Sequence, residues 1–199
     1  GLRAGFGAFE AEREASFFTT GGLAAVHSPG RDRASIWQSL TNKETYGTTG
    51  DRILLWFDLV RQDSSSPMGS TVNQSDNPRF RVKAVGAFEQ KPGCPDYSST
   101  DITQEEIERI CKNECYNPSD RRKNISRIEV VKITPQISQN EPIENLIYDA
   151  WKTFECNPSQ QGCEIEFVDE EFKDTSRDTI YYVRAIQEPS PVVNGGNLR

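Results

Sequence analysis

The stretch Tyr46-Gly47-Thr48-Thr49-Gly50-Asp51-Arg52 brings three hydroxyls and a guanidinium close together in the chain. Tyr46, Thr48, Thr49 and Arg52 are the candidate catalytic-site residues, because hydroxyls donate to phosphate oxygens and a guanidinium grips them in pairs. The same stretch also reads as a turn. Its glycines permit tight geometry and its Thr hydroxyls cap the backbone, which is the simpler of the two readings. His27 is the one histidine of the chain. A hydrolytic metal centre needs several convergent ligands, so His27 is expected to fill a packing position, and no metal or other cofactor is expected in this chain. Glu164, Glu166, Asp169, Glu170 and Glu171 form an acidic stretch. Calcium would need spaced oxygen ligands around a glycine turn, so a solvated strand end is the expectation.

The five cysteines carry a second kind of chemistry. Cys156 and Cys163 flank a segment with Pro158, Ser159 and Gly162, a turn composition that brings two sulfurs together. Cys111 and Cys115 fall one turn apart on a predicted helix. Their Cβ atoms would be ~5–6 Å apart, too far to bond each other. One of them, Cys111 or Cys115, is expected to pair with Cys94, and the remaining cysteine is free or bonded elsewhere. A zinc site is the rival, but one distant histidine and these spacings suit it less well. Disulfides belong to oxidising compartments, so the expected location is secreted or periplasmic.

The elements that must position these residues change character along the chain. Residues 21–27 read as a short strand after a glycine turn, and Ser28-Pro29-Gly30 breaks it. Asp32 is an N-cap for a helix with Ile36, Trp37 and Leu40 on one face. Strand, break and helix together suggest an α/β layer. The apolar run from Arg52 to Val60 predicts a strand buried on both faces. Phe80, Val82 and Ala84 alternate with Arg79, Arg81 and Lys83, the period of a half-buried strand. Residues 127–134, 145–152, 163–168 and 178–187 are further strands, rich in Ile, Val, Tyr and Phe. Thr103 and Glu106 form a capping box for one helix between them. Residues 1–19, with Phe6, Phe9, Phe17 and Phe18, read as irregular chain that packs on something else.

Several phrases, in order, resemble the C-terminal part of a bacterial domain-of-unknown-function family, number thirty-six-oh-four. They include Gly21-Gly22-Leu23-Ala24-Ala25-Val26, Ile36-Trp37-Gln38-Ser39-Leu40 and Glu44-Thr45-Tyr46-Gly47-Thr48-Thr49-Gly50. Pro67-Met68-Gly69, Arg127-Ile128-Glu129-Val130-Val131-Lys132 and Tyr181-Tyr182-Val183-Arg184-Ala185 follow. That family looks related to the polymerase-and-histidinol-phosphatase, or PHP, superfamily. The resemblance implies a mixed α/β fold: residues 1–50 as the last portion of a PHP-like distorted α/β barrel, then residues 51–199 as a β-rich, sandwich-like domain. An insertion with one helix would occupy about 90–124. It also implies a divalent metal in the full-length protein, activating water for phosphoester hydrolysis through His and Asp clusters upstream of Gly1.

Function is therefore expected to be that of the C-terminal portion of a metal-dependent, phosphoesterase-like hydrolase, supporting the barrel without holding its metals. The expected partner is the upstream part of the same protein or a companion chain. The alternative is a non-catalytic extracellular β module for binding or assembly. A net charge of −7 over 199 residues, with no basic face beyond Arg121-Arg122-Lys123, argues against nucleic acid as a partner. No apolar run approaches the ~20 residues that span a bilayer as a helix.

Overall fold

The computed structural model describes residues 21–111, 115–175 and 177–190, with the backbone alone at Ser99, Ile110 and Cys111. The reading of residues 1–19 lies outside the described residues. The chain begins with β1 (Leu23–Val26), α1 (Arg33–Thr41) and β2 (Thr45–Thr48). Then come β3 (Leu54–Val60), β4 (Ser65–Pro67), β5 (Arg79–Val85) and β6 (Phe88–Gln90). After α2 (Gln104–Cys111) the strands are β7 (Pro118–Arg122), β8 (Ile125–Ile133), β9 (Ile147–Glu155), β10 (Cys163–Val168) and β11 (Ile180–Gln187).

Two larger sheets make the body. One has strand order β10-β5-β3-β4 and the other β11-β8-β9, and every pairing is antiparallel. Leu55, Phe80, Val82, Ala84 and Phe167 of the first pack with Ile125, Ile128 and Val130 of the second in one apolar core. This is a β-rich, sandwich-like arrangement, because each sheet must bury its apolar face against another layer. The alternation seen in Arg79–Val85 holds: Phe80, Val82 and Ala84 are buried while the basic residues face out. On that outer face Arg79 meets Glu166 at 3.7 Å, Arg81 meets Asp58 at 3.7 Å and Lys83 meets Glu164 at 3.9 Å. Opposite charges on facing strands favour this register modestly.

The Arg52–Val60 run departs from its sequence reading. The strand starts at Leu54, and within it Leu55 alone is buried. Leu55, Phe57 and Leu59 share one face, which the neighbouring sheet closes over fully only at Leu55; Leu54, Trp56 and Val60 on the other face also stay partly open. The expected α/β layer also takes another form. β1 and β2 are antiparallel, with Ala25 facing Tyr46, so α1 links two strands of a hairpin-like pair.

Local chemistry explains α1. Asp32 Oδ1 accepts from Ser35 N at 3.0 Å, and Oδ2 accepts from the Ser35 hydroxyl at 2.6 Å. Those bonds hold the Asp32 carboxyl below its ordinary range. The helix lies with Ser39 buried, while Trp37 is 70 % exposed and Ile36 and Leu40 also face solvent. A small polar residue faces the body and the large apolar ones face away, the reverse of a surface helix. Beyond the sandwich, α2 begins with the expected capping box. Glu106 N donates to Thr103 Oγ1 at 3.2 Å and Thr103 N donates back to Glu106 Oε2 at 2.9 Å.

Two disulfides brace the loops, Cys94–Cys115 and Cys156–Cys163. The first resolves the Cys111-or-Cys115 alternative in favour of Cys115. Next to the second, Gly162 has φ +95°, and a Cβ there would lie 2.2 Å from the Ala84 carbonyl oxygen. Glycine is required by both the left-handed backbone and that close approach.

Candidate functional site

The hydroxyl-rich stretch at residues 46–52 is tied into the body at nearly every side chain. The Tyr46 hydroxyl donates to the Ile53 carbonyl at 2.9 Å, and the Thr48 hydroxyl accepts from Gly50 N at 3.2 Å. Asp51 accepts from the Ser190 hydroxyl at 2.5 Å and from the Gln187 amide, and lies 3.7 Å from Lys123 Nζ. The Arg52 guanidinium stacks on the Tyr116 ring at 3.8 Å. Tyr46, Thr48 and Arg52 thus make turn and packing contacts, and Thr49, the fourth candidate, is exposed. His27 acts as a strut: its Nε2 is 2.8 Å from the Leu55 carbonyl oxygen, and its ring lies beside Tyr46 and Trp56. Among the described residues no group of three or more His, Cys, Asp or Glu side chains converges as a metal centre would.

The acidic stretch divides, and one of its members overturns the solvated-end reading. Glu164 and Glu166 are the cross-strand partners already described. Asp169, by contrast, is fully buried. Its Oδ2 lies 2.6 Å from Lys132 Nζ and accepts from the Tyr181 hydroxyl at 2.5 Å, while Oδ1 accepts from Glu171 N at 3.2 Å. Lys132 is itself buried and stands 4.8 Å from the centre of the Trp151 ring. Every oxygen of this carboxylate has a partner, the condition under which a buried charge is tolerated. The signal in the sequence was Lys132 itself. It shares strand parity with Ile128 and Val130, so a charge was placed on the apolar face.

Burial first, and then the hydrogen bond to Asp169, push the Tyr181 phenol above its ordinary range. The sign of the pH effect follows. Above pH ~10 the unfolded chain's tyrosine loses its proton while the folded one keeps it, so stability falls as pH rises through that region. Tyr181→Phe should flatten this alkaline decline in thermal melts between pH 9 and 11. An unchanged slope in the variant would show that other groups produce it.

Tyr181 also borders a groove of about 770 Å³. Leu55, Phe57 and Leu59 of β3 and Phe80 of β5 form its apolar floor. The segment from Ser66 to Gln74 makes one wall and residues 179–183 the other. Tyr46 is the one sequence-predicted candidate that reaches it. No periodicity in the chain marks this groove, because its walls come from segments more than a hundred positions apart.

Taken together, these features define a disulfide-braced, β-rich module with an aromatic groove and without a convergent set of metal ligands among the described residues. Its family has been recognised by sequence: the model of the family described as "Protein of unknown function (DUF3604)" matches residues 4–194, and the chain belongs to that family. No curated protein and no solved structure matches it.

Proposed function

We propose that this chain is the supporting portion of a secreted or periplasmic metal-dependent hydrolase of phosphoesterase type, bracing a PHP-like barrel whose metals are held elsewhere. The observation that carries the reading is the reversed helix α1. Trp37 is 70 % exposed, and Ile36, Leu40 and the neighbouring strand residue Leu23 are exposed with it. Large apolar side chains left exposed on one helix and the strand beside it support a contact with further protein. The hydroxyl-rich stretch follows directly after this helix and strand, so it would sit beside that contact as structure rather than as chemistry. Two disulfides, and the absence from the described residues of any helix long and apolar enough to cross a membrane, are compatible with the proposed location.

The test uses the whole protein that contains this chain. Purified with divalent metal, it should hydrolyse members of a phosphoester panel. Trp37→Asp should lower the melting temperature of the whole protein and leave that of this chain alone unchanged. A whole protein that binds no divalent metal and turns over no phosphoester would remove the hydrolase reading. Equal melting of wild type and variant would remove the bracing role. A second reading, a non-catalytic extracellular β module for binding or assembly, draws on the groove described above.

A further inference from the structure

The groove meets its two sheets in different ways. From β3 it takes Leu55, Phe57 and Leu59, alternate residues that share one face. From β11 it takes Ile180, Tyr181, Tyr182 and Val183 in unbroken succession. Side chains along a strand alternate between faces, so a cavity touched by four successive residues meets that strand at its edge. β11 is the outer strand of its sheet, and among the described residues nothing pairs with its free side. We infer that this edge is a docking site for an extended segment of another polypeptide, which adds as a strand beside β11 and lays alternate apolar side chains on the floor of β3.

Three observations narrow the occupant. The edge is undefended: residues 179–183 are Thr-Ile-Tyr-Tyr-Val, with none of the charges or prolines that natural proteins place on exposed strand edges. The register irregularity of β11 lies at its far end, between Ile186 and Gln187, so the stretch along the groove runs regularly. Asp178 is the one charged residue among those lining the groove, so an acidic side chain laid on the floor would lose water and gain no partner, and a basic one would have Asp178 alone. The matching strand is therefore uncharged on its groove side and apolar at every second residue. This inference is independent of the hydrolase reading, because it concerns a different face and a different measurement.

The probe is a fluorescent, end-capped six-residue peptide alternating threonine and valine, titrated into the full chain and followed by anisotropy. Its control is the same peptide N-methylated at every internal amide, which keeps the side chains and removes the donors on both edges of the strand. The parent peptide should bind, and methylation should weaken it by about fivefold or more, as loss of two or more backbone hydrogen bonds requires. Backbone amides within residues 180–183 should gain hydrogen-exchange protection when it binds. Equal binding of both peptides would show a face contact and overturn strand addition. Absence of binding at millimolar peptide would overturn the site. Full protection of those amides in the free chain would show that the edge is already covered, and would overturn a free docking site.

Discussion

Replacing Asp169 with alanine should cost about 3–5 kcal/mol of stability, the range for removing one partner of a buried ion pair. The reason is what remains. The buried Lys132 ammonium would lose the carboxylate that compensates it, and the Tyr181 hydroxyl would lose its acceptor. An uncompensated buried charge costs far more than the net worth of the pair that held it. The double replacement Lys132→Met with Asp169→Leu should therefore recover most of the loss, since apolar residues of similar volume replace buried pairs well. Urea unfolding of the three proteins decides it. A loss below about 1 kcal/mol in Asp169→Ala, the range of an exposed pair, would mean that water reaches the site in solution.

The second large effect is expected at Phe80. Its ring lies 5.3 Å from that of Phe57, 5.1 Å from Phe167 and 4.6 Å from Tyr181, centre to centre, and the residue is 5 % exposed. It is where the two sheets meet, since Phe57, Phe80 and Phe167 come from one and Tyr181 from the other. Phe80→Ala should destabilise by about 3–5 kcal/mol, from lost transfer energy plus the cavity left between layers that cannot close on it. Phe80→Leu, which keeps much of the volume, should cost roughly half as much. Phe80 also forms part of the groove floor, so the alanine variant should bind an apolar fluorescent probe more strongly than the leucine variant. Equal unfolding midpoints for wild type and Phe80→Ala would show that the sheets do not pack through this residue.

The strand periods and the capping signals were legible because they depend on near neighbours. Phe80, Val82 and Ala84 went inside and the basic residues between them outside, since a pleated strand turns alternate side chains to opposite faces. The Thr103–Glu106 box and the Asp32 cap close over three residues, with no help from the rest of the fold. The hydroxyl-rich stretch was legible as a turn for the same reason, as the Thr48 hydroxyl and Gly50 N show.

What the neighbours could not reveal was direction. Ile36, Trp37 and Leu40 do share a side of their helix, but the pattern holds no record of whether that side meets this body or turns away from it. Asp169 sits beside Glu170 and Glu171 and reads like them. Its burial depends on Lys132 and Tyr181, which other strands bring to it.

The chain alone determined the β-rich character, the caps and the composition that permits disulfides, because propensity, alternation and turn chemistry act over a few residues. The tertiary structure decided that Cys94 takes Cys115, that a lysine and an aspartate meet in the core, and that β11 borders a groove. Those outcomes depend on which distant segments the packing of two sheets brings within a few ångströms, a quantity that local sequence does not contain.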